Sequence, residues 1–319
     1  MPTSKKKKKL LAVAVPIVCV FTAFIIVLIT IIIPQKKMNK AMSLLETGDY
    51  DSAYALLEEI KNHEAVASSK YERAVKLIDF GEYESAYMLL NGLSYKDSNR
   101  ILESIIPQYQ QILSEKANVG DTVYFGSCEQ DNNTSNGKEG VEWVVLAKED
   151  RKVLVISKYA LECREYNSSF SDTTWEKCSL RTWMNETFLN DAFTTAEQEI
   201  IATANVSADE NPKYGTDPGN ATDDKVFLLS IKEVENYFVA DESRICAPTA
   251  YAKSQGAYTT GRGKTASGEA GCCWWLRTPG SDRKETNYVN SFGNINYIGY
   301  SVSHLNYTVR PALWIDLAF

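Results

Sequence analysis

Histidine is scarce: the 319 residues contain two, His63 and His304. Three signatures of catalysis or cofactor binding are missing altogether, namely G-x-S-x-G, H-E-x-x-H and the phosphate-binding P-loop. A hydrolase triad needs a nucleophile, a base and an orienting group, and His304 is the one histidine after residue 118. It lies in Ser301-Val302-Ser303-His304, beside a Gly/Tyr/Asn-rich stretch, where a lone loop histidine is ordinarily just solvated. No C-x-x-C pair occurs, and with so few histidines the usual zinc sites have no ligands to draw on. Basic residues number 34 against 41 acidic ones, and five of the 34 are Lys5–Lys9. The remainder offers no Lys/Arg face, so nucleic acid is not an expected partner. No catalytic residue, metal or cofactor is assigned.

What is present belongs to a folded chain, with 44% hydrophobic and 24% charged residues. Residues 1–9 form a basic tail. Leu10 to Ile33 then runs 24 residues without a charge, about 36 Å as a helix and enough to cross a hydrocarbon core of about 30 Å. A cleaved signal peptide would have a shorter apolar region ending at small residues, whereas this run ends Ile31-Ile32-Ile33-Pro34. The expectation is an uncleaved transmembrane helix over 10–33. Five lysines before the span and Lys36, Lys37 and Lys40 after it place the N-terminus in the cytoplasm and residues 34–319 outside, in a single-pass cell-membrane protein.

Seven cysteines include Cys19 in the apolar span and Cys128, Cys163, Cys178, Cys246, Cys272 and Cys273 beyond it. An even number in an extracytoplasmic segment permits structural disulfides among Cys163, Cys178, Cys246, Cys272 and Cys273, with buried free thiols as the alternative. Cys272 and Cys273 are too close to share one partner, and one of them can pair with Cys246. As vicinal thiols they also suit a soft ion such as copper(I).

Residues 38–118 read as helical repeats. Ala41–Ile60 recurs as Ala74–Leu93 at an offset of 33, with nine of twenty positions identical. Gly48 and Gly81 break each unit into two helices, and Ala53/Tyr54/Leu57 and Ala86/Tyr87/Leu90 form the apolar stripes. The pattern resembles tetratricopeptide repeats. So few units imply a spacer or a self-association stalk rather than a peptide groove. A further helix starts at Asp97 or Ser98, either of which can cap it, and runs to about Ala117.

From Val119 the texture changes to short strands and turns, and the class is α+β with much irregular structure. Asp121–Phe125, Val141–Ala147 and Lys152–Ser157 read as strands, the last two as a hairpin. Capping boxes are expected at Thr173/Glu176, Thr194/Glu197 and Ser230/Glu233, the first opening a helix with Leu180, Trp183, Met184, Phe188 and Ala192 inward. Later strands fall near Trp274–Arg277, Tyr288–Asn290, Ile295–Ile298 and Val309–Ile315. Pro311 in the last of these suits an edge or a bulge. Trp143, Trp183, Trp274, Arg277, Arg310 and Trp314 are expected in or beneath the core. Two buried guanidinium groups need partners, for which Asp224 and Glu176 are available.

Trp143-Val-Val-Leu146, Trp274-Trp-Leu-Arg-Thr-Pro-Gly280 and Val309-Arg-Pro-Ala-Leu-Trp314, with blocks at Thr174–Asn185, Asp224–Ser230 and Thr249–Ala252, resemble one uncharacterised bacterial domain. It is a domain of unknown function common in Firmicutes surface proteins, covering 119–319 here and implying no established activity. More distantly, the order of these blocks is similar to C-type-lectin-like folds, including the formylglycine-generating-enzyme type. That resemblance implies loops that carry binding, and a cysteine or copper oxidoreductase through Cys272 and Cys273 as the enzymatic alternative.

Tyr288 to Tyr307 holds the composition most suited to contact. Tyr288, Asn290, Asn294, Tyr297, Tyr300, His304 and Asn306 are the candidate binding residues, since tyrosine offers area with few rotors and asparagine adaptable hydrogen bonds. Asp209–Asp224 is rich in hard oxygen ligands that calcium prefers, although turn chemistry accounts for the same residues. The resulting expectation is a membrane-anchored binding or sensing protein with a glycan or protein ligand, against a ligand-free surface scaffold.

Overall fold

The computed structural model describes residues 32–46, 52–53, 56–57, 59–60 and 63–317. Among them no helix is long and apolar enough to cross a membrane. This corrects the expected fold in its membrane-spanning element, while the mixed α+β class stands. Residues 10–31 of the expected span lie outside the described residues, as do Gly48, Tyr50 and Tyr54 of the first repeat. Ile33 opens the helix Ile33–Glu46, and Lys36, Lys37 and Lys40 make that helix too polar for a bilayer core.

The chain divides into two compact units, residues 1–73 and 74–319. In the first, Met38, Ala41, Ala53 and Leu57 are buried, and Lys37 pairs with Glu59. In the second, the end of helix His63–Asp79, which begins in the first unit, is stopped by Gly81 at φ +78°, where Glu82 N–H reaches back to Leu77 O at 2.9 Å. The return helix Tyr83–Leu90 then buries Ala86, Tyr87 and Leu90, the stripe read from the repeat.

The expected boundary at 118/119 falls inside this second unit. Helices Tyr83–Leu90 and Ser98–Lys116 are part of the unit that holds the sheets. Tyr87 and Tyr109 stack at 3.8 Å, and both direct their hydroxyls to residues beyond that boundary. Tyr109 donates to Tyr124 O at 2.6 Å, Tyr87 donates to the Glu197 carboxylate, and Gly126 N–H donates to the Tyr87 hydroxyl at 3.0 Å. Gln110 donates to Asp316 O at 2.8 Å.

Two larger sheets carry the rest of this unit. The first runs in the order Thr122–Cys128, Glu139–Glu149, Lys152–Ser157, Ala312–Asp316, Ile201–Ala202, with Val226–Phe227 also paired to Ala312–Asp316. The second runs Ile295–Ser301, Glu285–Val289, Trp274–Pro279, Thr308–Val309, Glu162–Cys163. All pairings in them are antiparallel except that of Trp274–Pro279 with Thr308–Val309. The strand Trp274–Pro279 is buried along its whole length. Val309, Leu313, Ile315 and Leu317 are buried, as the alternation requires.

Pro311 corrects the reading of the last strand. Thr308–Val309 belongs to one sheet and Ala312–Asp316 to the other, and the chain changes sheets at Arg310-Pro311. A residue without an N–H belongs where no ladder continues, so the proline marks a crossover between two interior positions and not an edge.

The capping boxes at Thr194/Glu197 and Ser230/Glu233 form with both reciprocal bonds. That at Thr173/Glu176 does not. Glu176 turns to Asn220, and the helix Ser179–Trp183 is capped by Cys178, whose sulfur accepts from Arg181 N–H at 3.4 Å. The helix continues through a π turn, Met184–Phe188, and still buries Leu180, Met184, Phe188 and Ala192. Trp143 and Trp274 are wholly buried, whereas Trp183 and Trp314 are only half-buried under the cations of Arg164 and Lys152.

Candidate functional site

The segment Tyr288–Tyr307 does not act as one surface; it divides into a structural half and an open half. Asn290 closes the turn between strands Glu285–Val289 and Ile295–Ser301, its Oδ1 accepting from the N–H groups of Phe292 (2.9 Å) and Asn294 (3.1 Å). Gly293, at φ +86°, sits so close to Asp241 O that a Cβ there would lie 1.7 Å away. Asn294 donates to the Asp241 carboxylate and Tyr297 to that of Glu235, while the Lys213 ammonium lies 3.6 Å over the Tyr297 ring. These bonds hold the Asn290, Asn294 and Tyr297 side chains against neighbouring segments.

Tyr288, Tyr300, His304 and Asn306 are brought together. The Tyr288 and Tyr307 rings lie 4.6 Å apart, Tyr300 and Tyr307 5.3 Å, Tyr300 and His304 4.6 Å, and His304 and Tyr307 4.7 Å. Tyr307 also meets Trp275 at 4.7 Å. One aromatic cluster therefore runs outward from Trp275, 0% exposed, through buried Tyr307 to Tyr300, 45% exposed. Its geometry is fixed from below by the core strand Trp274–Pro279, where the Trp275 Nε1–H donates to Arg164 O at 3.0 Å.

Tyr300, His304, Asn306 and Tyr307 form one side of an open cleft of 640 Å³. The other side comes from a distant stretch, Lys253 and Gly256 to Thr259, at the end of helix Ala250–Ser254. Thr249 caps that helix, its Oγ1 accepting from Ala252 N–H at 3.0 Å. Two hydrogen bonds join the sides: Asn306 Nδ2 donates to Gly256 O at 2.8 Å, and Tyr258 N–H donates to Asn306 O at 3.1 Å. Lys253 and Tyr258 were not among the expected site residues, because they lie far from the Tyr/Asn-rich stretch in sequence. Their signal was only an aromatic next to a β-prone run, Tyr258-Thr259-Thr260.

Chemically the cleft is suited to contact. Burial holds the His304 imidazole below its ordinary pKa, so it is neutral at pH 7. No hydrogen bond among the described residues joins its ring to an acid or a nucleophile; its neighbours are tyrosine rings. Lys253 is the one charged side chain of the lining.

The cysteines among the described residues are free: Cys128 half-buried, and Cys163, Cys178, Cys246, Cys272 and Cys273 buried. In place of the disulfides considered for the last five, the thiols find separate partners. Cys163 donates to Leu305 O at 3.2 Å and Cys178 to Trp175 O at 3.5 Å, while Cys272 donates to Cys246 O at 3.2 Å. Cys272 and Cys273 are both pushed above the ordinary thiol pKa by burial, the opposite of an activated thiolate.

The carboxylates of Asp209–Asp224 do not converge. Asp217 pairs with Arg283, Asp223 accepts from Asn205 at 2.9 Å, and Asp224 takes Arg181 at 2.7 Å and Trp175 at 2.9 Å. Three acids gather elsewhere: Glu129, Asp131 and Glu139 offer oxygens within 4.8 Å of one another. Backbone N–H groups already occupy them, Gln130 donating to Glu139 at 2.7 Å and Asn133 to both Glu129 and Asp131 at 2.7 Å.

An α+β domain with an aromatic cleft and no assembled catalytic group among the described residues is thus the class that fold and site define. The chain belongs to the family described as a domain of unknown function, DUF6273, which matches residues 150–317. That range contains both sides of the cleft. No curated protein and no solved structure matches the chain.

Proposed function

We propose that the C-terminal domain is a non-catalytic binding domain for a glycan or protein ligand, with its contact surface in the cleft of Tyr258, Tyr300, His304 and Tyr307. The observation that carries this reading is the exposure of large aromatic rings on a rigid base. Tyr258 and Tyr300 are 58% and 45% exposed, yet Tyr300 is packed against a cluster rooted in the core. Water-exposed aromatic faces held in place by buried ones give contact area at little ordering cost. Glycan and peptide arrays probed with the full chain test the proposal. The expected result is retention of at least one ligand class that is lost on Tyr300→Ala. Blank arrays would instead favour a scaffold without a ligand.

A further inference from the structure

Resting on that reading of the cleft, we infer that its ligand is a saccharide bearing a carboxylate. Three observations converge on this class. First, the polar groups around the aromatic faces are unspent. Among the described residues the Tyr258 and Tyr300 hydroxyls, Thr259 Oγ1, the His304 ring nitrogens and Asn306 Oδ1 have no hydrogen-bond partner, although all line one cleft. Donors and acceptors interleaved with ring faces match a sugar, which presents C–H groups on one face and hydroxyls around its rim.

Second, the adjacent sheet edge is closed to a peptide strand. Ile295–Ser301 is the edge of its sheet, but its carbonyls at Asn296, Tyr297 and Ile298 are already taken. Asn287 donates to Asn296 O at 2.9 Å, Asn211 to Tyr297 O at 2.8 Å, and Ser281 N–H to Ile298 O at 2.6 Å. Strand addition, which draws its affinity from such main-chain groups, has little left to use.

Third, the charge is one-sided. Lys253 is exposed, its ammonium has no partner among the described residues, and no carboxylate lines the cleft. A carboxylate seated on the Tyr300 side of the cleft would meet Lys253 across it.

The test measures affinity of the full chain for three acidic probes, sialyllactose, tetragalacturonate and a hyaluronan tetrasaccharide, each beside its carboxyl-reduced counterpart. At least one acidic probe is expected to bind about tenfold more tightly than its reduced form, the scale of one charge-assisted hydrogen bond. Lys253→Gln, a change at an exposed position, should bring that ratio close to one. Tyr300→Ala should weaken both. Equal binding of acidic and reduced forms, or binding of none of the three acidic probes, overturns the inference while leaving the cleft reading in place. So does a peptide ligand that depends on Tyr300. Sugar binding that survives Tyr300→Ala unchanged overturns the cleft reading itself.

Discussion

Arg277 and Glu233 form a two-pronged ion pair that fastens the central strand of one sheet to a helix cap. Nη2 of Arg277 lies 3.0 Å from Glu233 Oε1, and Nη1 meets Oε2. The same Oε2 accepts the Ser230 N–H of the capping box at 2.8 Å. The remaining guanidinium hydrogens go to Leu228 O at 2.8 Å, and to Ser207 O and Oγ at 3.1 and 3.2 Å. Neither Asp224 nor Glu176, the partners expected for it, is involved: Asp224 belongs to Arg181 and Glu176 to Asn220.

Arg277 is 4% exposed, so removing it strips the half-buried Glu233 carboxylate of its ion pair and takes the donors from Leu228 O and Ser207 O. Arg277→Ala is expected to cost about 3–5 kcal/mol in urea unfolding. Arg277→Lys should recover only part of that, because an ammonium cannot fill the forked geometry. Full rescue by lysine would show that charge alone matters here.

Trp274 and Tyr300 separate framework from contact. Trp274 is 0% exposed, donates to Arg244 O at 3.2 Å, and lies 5.1 Å from the Arg310 guanidinium. Trp274→Ala should cost about 3–5 kcal/mol and can unfold the domain. Tyr300→Ala should leave the melting temperature nearly unchanged. Equal losses at the two positions would make the cleft wall part of the core.

Glu139 makes stability depend on pH. Burial, aided by the charges of Asp131 and Glu129, pushes its carboxyl up to about 7. A folded-state pKa above the unfolded one means that the native state binds the proton more tightly. This contribution is therefore fully present below about pH 4.5, the unfolded range, and is lost as pH rises towards 7. Glu139→Gln should flatten the stability curve between about pH 5 and pH 7, measured by denaturant midpoint. An unchanged slope would show that Glu139 titrates normally.

Four of the thiols should be slow. Burial raises Cys128 and Cys273 and lifts Cys163 and Cys178 to about 12. In the reduced native protein, alkylation at pH 8 should leave these positions largely unlabelled, with all of them reacting after denaturation. Rapid native labelling of both Cys272 and Cys273 would revive the oxidoreductase alternative.

What could be read from the chain was local. The Thr194/Glu197 and Ser230/Glu233 caps and the strand Lys152–Ser157 depend on neighbours within a few residues, and all three are present. Long-range choices were not legible. Nothing near Pro311 says that the chain leaves one sheet for another, and nothing near Arg277 names Glu233, 44 positions away. For the site, Tyr300, His304 and Asn306 were readable as a Tyr/Asn-rich stretch. Lys253 and Tyr258 were not, because the bonds from Asn306 to Gly256 and from Tyr258 to Asn306 that bring them there are tertiary. Asn290 and Asn294 share the composition of contact residues but serve the turn, a distinction that only their hydrogen bonds make.

The central claim is that the exposed face of Tyr300 binds a ligand, and an exposed tyrosine elsewhere supplies the control. Tyr214 is 49% exposed, against 45% for Tyr300, and lies outside the cleft lining. Calorimetric titration of the array-selected ligand into the wild type, Tyr300→Ala and Tyr214→Ala is the direct comparison. Tyr300→Ala should lose about tenfold or more in affinity at an unchanged melting temperature, with Tyr214→Ala indistinguishable from the wild type. Equal affinity of all three proteins would contradict the account.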